Sequence, residues 1–367
     1  MDEKKLGLAV VIPAYEPDDK LIGLINDLNY EFSNFLIVVV NDGSVKEESK
    51  EVFNVVKTLE NTHLISYEEN KGKGHALKEA FKYINTLNKE YVIVTADSDG
   101  QHHPKDIKRV YDFYMKNPGM FILGSRKFEG DVPKKSRFGN DVSRNITRFI
   151  FSERIYDTQT GLRAFSSNLI NFMLSIKGNR YEYEMNMLSE VIRASIPIRE
   201  IAIKTIYINE NKGTHFRPVR DFLRITSCQL KYVLPILICL AVNSVLFALL
   251  RYFFYTYLNI DGIYLVFVSL VAGLFTMLTG LIVDGFGLCY GNKYILKRKD
   301  LLANYIIRFM IIIVLDIIFV EVFSRAFNYD QSYIPIAKLL SDICLAVIIT
   351  LLNIIFCHKS KLYEGEI

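Results

Sequence analysis

Two aspartates, Asp97 and Asp99, stand one residue apart directly after an apolar run, Tyr91-Val92-Ile93-Val94-Thr95. The run is rich in β-branched residues and lacks polar alternation, which is the pattern of a strand buried on both faces of a sheet. Its end delivers both carboxylates onto the loop Asp97-Ser98-Asp99-Gly100-Gln101, and Pro104 marks the start of the next helix. In an open α/β sheet, ligands bind beyond the carboxyl ends of the strands. Hard carboxylate oxygens at that place suit a divalent cation that also grips a diphosphate. The same spacing also fits a polar turn with Asp as a local cap. The pair takes its meaning from its neighbours.

The elements around the pair repeat one design. Leu8 to Ile12 reads as a buried strand ending in Pro13-Ala14-Tyr15-Glu16-Pro17, after which Asp18 or Asp19 can cap a helix through about Leu28. Phe35 to Val40 reads as a second strand, ending in Asn41-Asp42-Gly43-Ser44. A helix over 46–59 and a third strand over 63–66 lead to Lys71-Gly72-Lys73-Gly74, a glycine-punctuated turn opening a helix. Met120 to Leu123 forms a fifth strand, ending in Gly124-Ser125-Arg126. Strands alternating with helices at this spacing predict a doubly wound, mainly parallel α/β sheet with polar residues at the carboxyl ends of its strands. The Lys-Gly-Lys-Gly turn matches neither a P-loop nor the dinucleotide fingerprint. Alone it is a turn.

Further along, residues 134–154 are basic and helical, with Arg137, Arg144 and Arg148 spaced seven and four apart on roughly one face. Such a face is either solvated or turned to an anion, which arginine suits by its forked geometry. Asp157-Thr158-Gln159-Thr160-Gly161-Leu162-Arg163 then reads as a polar turn before another helix. Arg180-Tyr181-Glu182-Tyr183-Glu184 places two carboxylates at a helix start, where the helix dipole favours them.

The 367 residues allow two domains, and the 50% hydrophobic content is unevenly spread between them. Residues 1–213 read as the α/β domain, 214–231 as a basic amphipathic juxtamembrane segment, and 232–367 as a membrane domain. Four spans of the ~20 residues that a bilayer requires are expected at 232–257, 262–288, 301–323 and 334–356. The basic stretch Asn292–Lys299 and the tail residues His358, Lys359 and Lys361 put the middle loop and both termini in the cytoplasm. The opening Met-Asp-Glu-Lys-Lys runs into a strand rather than an apolar leader, which agrees. The expected location is therefore the cell membrane, multi-pass, with the α/β domain cytoplasmic. Arg251, Asp284, Arg308, Asp316, Glu321, Lys338 and Asp342 fall within or near the spans, where charges either pair between helices or line a polar path. A net charge of +4 gives no reason to invoke nucleic acid. Five scattered cysteines show no metal-ligand spacing and read as reduced apolar filling.

Taken in order, Val11-Ile12-Pro13-Ala14-Tyr15, Asn41-Asp42-Gly43-Ser44, Lys71-Gly72-Lys73-Gly74, Ala96-Asp97-Ser98-Asp99-Gly100-Gln101, Gly124-Ser125-Arg126 and Asp157–Arg163 resemble one family. They are similar to the GT-A glycosyltransferases of family two, in particular the polyisoprenyl-phosphate glycosyltransferases. The resemblance covers about 1–230; residues 232–356 resemble, more loosely, the four-helix GtrA-type membrane domain. Glu16-Pro17 stands where the family usually carries Asn-Glu, so either Glu16 or Asp18 is left to support the nucleotide.

The resemblance implies a GT-A fold, a nucleotide-sugar donor (UDP- or GDP-linked), a polyprenyl-phosphate acceptor and Mg2+ or Mn2+. Pro13, Tyr15, Glu16, Asp42, Lys71, Gly72, Lys73, Asp97 and Ser98 would bind the nucleotide, and Asp97, Asp99 and Gln101 the metal. Arg126, Arg137, Ser143, Arg144 and Arg217 would meet the acceptor phosphate. Asp97, Asp99 and Arg126 would serve the chemistry, with Asp157 and Glu184 as the carboxylates to test for a base. A second copy of the chain, met through the membrane domain, is a further implied partner. A lipid monophosphate is largely ionised at neutral pH, because its second pKa is about 6. It attacks the anomeric carbon directly, with inversion, whereas a hydroxyl acceptor needs a base. Two other readings remain at this stage: transfer to a glycolipid or diphosphate-linked sugar, and a lipid-linked-sugar translocator fed by the soluble half.

Overall fold

The computed structural model describes residues 6–126, 134–151, 153–194, 196–204, 227, 234–253, 267–274, 299–329, 333–355, 358–359 and 362–363. The chain divides into two compact units, one of residues 1–147, 153–229 and 358–367, the other of 148–152 and 230–357.

The first unit is built on β1 (Gly7–Ala14), β2 (Leu36–Asp42), β3 (Thr62–Tyr67), β4 (Tyr91–Thr95) and β5 (Phe121–Arg126). Between them run α1 (Lys20–Glu31), α2 (Glu47–Val56), α3 (Lys73–Thr86) and α4 (Pro104–Lys116). After β5 come α5 (Lys134–Phe151), β6 (Glu153–Arg154), β7 (Arg163–Ser166), α6 (Ile170–Ser175), α7 (Glu182–Arg193) and β8 (Ile198–Ile203). The eight-stranded sheet has the order β10-β8-β5-β7-β4-β1-β2-β3, its outermost strand being the tail segment β10 (Leu362–Tyr363). Strand β1 pairs in parallel with β2 and β4, β2 with β3, and β5 with β8. The expected α/β class and mainly parallel sheet are what forms.

The strands read as unbroken apolar runs because helices cover both faces, and the two-residue period then sorts each run. Leu8, Val10, Ile12, Val92 and Val94 point to one side, against residues of α1, α2 and α4. Ala9, Val11, Val38, Val40 and Ile93 point to the other, against α3, α6 and α7.

Five strands after β5 were not expected. Residues 157–163 were read as a turn before a helix, yet from Arg163 the chain enters β7, antiparallel between β4 and β5. Four residues are too few for a period to declare itself, and Arg163 at their head masks the apolar pair behind it. Strand β8 was passed over because Arg199 and Glu200 interrupt its apolar run. The tail was read only as a basic cytoplasmic end, but His358–Lys359 (β9) pairs with β6, and β10 pairs with β8. Two-residue strands carry no sequence signature of their own.

The second unit contains α8 (Leu234–Phe253), a helical segment at 267–274, α9 (Lys299–Ala326) and α10 (Ile334–Ile355). Phe247, Val268, Ala272, Val320 and Ile334 are buried together. Lys338 lies buried 2.9 Å from both oxygens of Asp316, a pair between α10 and α9, and 2.6 Å from Asp342 one turn along its own helix. Among the described residues, no helix is long and apolar enough to cross a membrane. The expected spans at 301–323 and 334–356 fall on α9 and α10; most of 262–288 and the basic stretch 292–298 lie outside the described residues.

Candidate active site

Asp42 ends β2 and is almost fully buried. Its Oδ1 accepts from Lys71 N at 2.9 Å and from the Tyr67 hydroxyl at 2.7 Å, while Oδ2 accepts from Gly72 N at 2.9 Å. One carboxylate thus ties down the glycine turn that opens α3. Gly72 has φ +101°, and a Cβ there would sit 2.6 Å from the Asn179 carbonyl oxygen, so only glycine fits. Asp42, expected to bind the nucleotide, here shapes the turn that would line it. Burial first, and then the Asp42 carboxylate, push the Tyr67 hydroxyl well above its ordinary pKa.

The turn aims Lys73 into the crevice. Its Nζ lies 2.6 Å from Asp97 Oδ1 and 2.8 Å from Glu184 Oε2, joining the end of β4 to the start of α7. Burial pushes the Asp97 carboxyl up, but Lys73 and His102 outweigh it and hold the group far below the usual carboxylate range. For Lys73 the same contest ends with the ammonium held more firmly protonated than usual. Asp99 moves the other way: burial, and then the Asp97 charge beside it, raise its pKa. Asp99 Oδ1 accepts from Gln101 N at 3.0 Å. His102 is buried with Nε2 3.4 Å from Asp97 Oδ2, and its ring nitrogens make no hydrogen bond among the described residues.

The turn Thr160–Leu162, brought in by β7, closes over Asp97. Thr95 Oγ1 donates to the Gly161 carbonyl at 2.7 Å, and a Cβ at Gly161 would meet Asp97 Oδ2 at 2.5 Å. Arg163 is fully buried, with Nε donating to the Thr160 carbonyl at 3.0 Å and Nη1 to the Glu184 carbonyl at 2.5 Å. Beside this, Arg126 at the end of β5 donates from Nε to Asp157 Oδ2 at 2.6 Å and from Nη2 to Asp157 Oδ1 at 3.0 Å.

Lys73, Asp97, Glu184 and Arg163 are thus linked by these contacts at the carboxyl end of β4, with Ser98 and Asp99 following in the same loop. Others are placed differently. Glu16 has φ 50°, and its carboxylate accepts from Val45 N at 2.9 Å and Lys46 N at 3.3 Å, ahead of α2. Burial raises its pKa and those backbone donors bring it below normal. It is a backbone brace rather than a nucleotide ligand, and Asp18 pairs with Lys20 at 2.7 Å. Asp157 is wholly buried with both oxygens on Arg126, which makes it an orienting group and not a base. Ser143 is buried and accepts from Thr158 Oγ1 at 3.0 Å, so it fastens α5 to the loop rather than facing a phosphate. Arg144 pairs with Asp141 at 2.8 Å. The side chain of Arg137 and all of Arg217 lie outside the described residues. Pro13 is the next-to-last residue of β1, and Tyr15 stands directly after the strand.

Sequence reasoning missed Glu200, which is fully buried in β8. A lone acid in the apolar run Ile198-Arg199-Glu200-Ile201-Ala202-Ile203 was the available signal.

A divalent cation fits the Asp97–Asp99 pair on chemical grounds. Burial and the Asp97 charge raise the pKa of Asp99, and a cation held by both carboxylates would relieve that repulsion. Among the described residues no group of three or more His, Cys, Asp or Glu forms a metal cage. The remaining ligands would come from phosphate and water, the usual arrangement for Mg2+.

The model of Glycosyl transferase family 2 matches residues 9–177. The chain is 31% identical over 220 residues to UDP-N-acetylglucosamine–dolichyl-phosphate N-acetylglucosaminyltransferase of Methanococcus voltae, covering 54% of this chain and 85% of that protein. It is 26% identical over 239 residues to dolichyl-phosphate beta-glucosyltransferase of Saccharomyces cerevisiae, covering 58% and 70%. Among solved structures, glucosyl-3-phosphoglycerate synthase from Mycobacterium tuberculosis aligns with a TM-score of 0.47 at 13% identity, covering 61% of this chain and 79% of that one.

Proposed function

The chain belongs to Glycosyl transferase family 2 and is a glycosyltransferase, and from that premise we propose that it transfers a monosaccharide from a nucleotide sugar to a polyprenyl phosphate, with inversion and with a divalent metal. The observation that carries the acceptor is the commitment of both candidate bases to cations. Glu184 is held by Lys73 at 2.8 Å and Asp157 by Arg126 at 2.6 Å. A hydroxyl nucleophile must lose its proton during attack and needs a base. A phosphate monoester is already ionised, with a second pKa of about 6, and needs only positioning and cations. Arg126 is of the right kind, because a guanidinium recognises a phosphate through its planar fork of N–H donors.

In this reading, Asp97 and Asp99 hold Mg2+ or Mn2+, which supplies Lewis-acid neutralisation of charge on the departing nucleoside diphosphate. The Lys71–Gly74 turn, fixed by Asp42, lines the nucleotide with Pro13, Tyr15 and Ser98. Lys73 holds Asp97 and Glu184 in place while Arg126 orients the incoming phosphate for attack from the face opposite the leaving group. Dolichyl-phosphate transferases among the relatives agree with such an acceptor.

The helical unit then serves as the membrane anchor, with a GtrA-like arrangement and the catalytic unit at the cytoplasmic face. Three features support this. Helices α9 and α10 are 28 and 22 residues long. Ile307, Ile311, Val314, Ile318 and Val322 of α9 are exposed apolar side chains. Residues 230–357 fall in a compact unit separate from that of the sheet.

The test is transfer from a panel of radiolabelled sugar nucleotides to undecaprenyl phosphate in detergent, with Mn2+, with EDTA, and with Asp99→Ala. We expect a mild-acid-labile lipid product from one donor, lost with EDTA and reduced at least about a thousandfold in the variant. No product with any donor, from protein shown to bind nucleotide, would sink the phosphate-acceptor reading.

A further inference from the structure

Strand β8 is apolar apart from Arg199 and Glu200, and Glu200 is fully buried. A carboxylate removed from water must have its lone pairs satisfied. Here the donors are Ser125 Oγ at 2.6 Å, Tyr156 N at 2.9 Å to one oxygen and 3.1 Å to the other, and Asp157 N at 3.3 Å. Ser125 immediately precedes Arg126, and Asp157 is the residue that grips the Arg126 guanidinium. Glu200 thus holds the chain at both ends of the Arg126–Asp157 pair, through the Ser125 hydroxyl at one and backbone N–H groups at the other. Asp157 adds a third hold, accepting from Arg126 N at 3.2 Å.

The chain's end protects this arrangement. Leu362 of β10 lies in register with Glu200 and Tyr363 with Ile201, so the tail covers the edge that β8 would otherwise present. The Tyr363 ring rests on Phe113 of α4, with centroids 5.1 Å apart. In the same tail, β9 pairs with β6, which leads directly into Tyr156 and Asp157.

We propose that Glu200 is a positioning residue for acceptor phosphate, setting the place of the Arg126 guanidinium through Asp157, with the C-terminal strands keeping the edge of β8 closed. The inference rests on the reading that Arg126 meets the acceptor phosphate. It predicts a selective defect. Loosening Glu200 weakens the acceptor end, while the Asp42-held turn at the nucleotide end is untouched.

The experiment uses the full-length protein in detergent and compares Glu200→Gln, Arg126→Ala and the double variant. The readouts are acceptor KM, kcat and the Kd of the nucleoside diphosphate product. Glu200→Gln should raise acceptor KM by about tenfold, the loss of one charge-assisted hydrogen bond, with nucleotide Kd unchanged. On an Arg126→Ala background it should add little, because both changes act through one group. An unchanged KM in Glu200→Gln, with a raised KM in Arg126→Ala, overturns the inference and spares the reading beneath it. An unchanged KM in Arg126→Ala overturns that reading itself. A nucleotide Kd weakened as much as acceptor KM makes Glu200 a general stabiliser and also overturns the inference. Should Glu200→Gln not fold, Ser125→Ala removes only the 2.6 Å donor and carries the same test, with a rise of about threefold expected.

Discussion

The two ends of the crevice are built on different plans. At the nucleotide end, one buried carboxylate, Asp42, holds the backbone of the turn that is itself expected to touch ligand. At the proposed acceptor end, Arg126 is held by Asp157, and Asp157 by Glu200, so the residue we assign to the ligand stands two layers out from its anchor. The difference teaches where a site is legible. A one-layer grip leaves its parts inside the motif: aspartate at a strand end, glycines in the turn. A two-layer grip hides its anchor in a strand far along the chain, where nothing nearby marks it.

The comparison breaks most visibly at Lys73, which ties Asp97 to Glu184. Lys73→Met leaves two carboxylates facing one another beside Asp99, and should cost about 3 kcal/mol of stability. Mn2+ with nucleotide should restore part of it by supplying the missing positive charge. Thermal scans in EDTA and in Mn2+ check this, and a variant as stable as the parent in EDTA would contradict the role given to Lys73.

A smaller effect separates the two ends directly. Asp42→Ala orphans the Gly72 N–H and two further donors, and should weaken nucleotide binding by about tenfold or more while leaving acceptor KM in place. Calorimetry with the nucleoside diphosphate and acceptor titration measure the two halves. Equal losses at both ends would mean that the plans are not separate.

The smallest expected effect concerns Glu153 of β6, next to the acceptor-end loop. Burial raises its pKa to about 7 from the ordinary 4.5. An acid whose pKa is higher folded than unfolded binds more protons when folded, so its environment is least costly below about pH 4.5. Stability should therefore fall as pH rises from about 4.5 to 7 and level off above, by less than about 1 kcal/mol given the partial exposure of the group. Glu153→Gln should flatten that part of the Tm-versus-pH curve. An unaltered slope would show that Glu153 is not the titrating group.

Much of the sheet unit could be read from the chain alone. Strands β1, β2 and β4 announced themselves because burial on both faces demands unbroken apolar runs, and Asp42, Asp97, Asp99 and Arg126 because polar residues abruptly end such runs. Glu16 misled because its place in the motif suggested a ligand, whereas its carboxylate caps backbone donors across a turn. Asp157 misled because a carboxylate in a polar loop looks available until Arg126 is seen to occupy both its oxygens.

What the sequence by itself determined is the α/β alternation, the crevice at the strand ends and the chemical types gathered there, since these follow from period and composition. Tertiary structure alone decided which charges neutralise one another: Lys73 with Asp97 and Glu184, Arg126 with Asp157, Lys338 with Asp316. The physical reason is range. Apolar burial is written locally in every second residue, whereas the state of a carboxylate depends on whichever cation or N–H the fold brings within about 3 Å, from any distance along the chain.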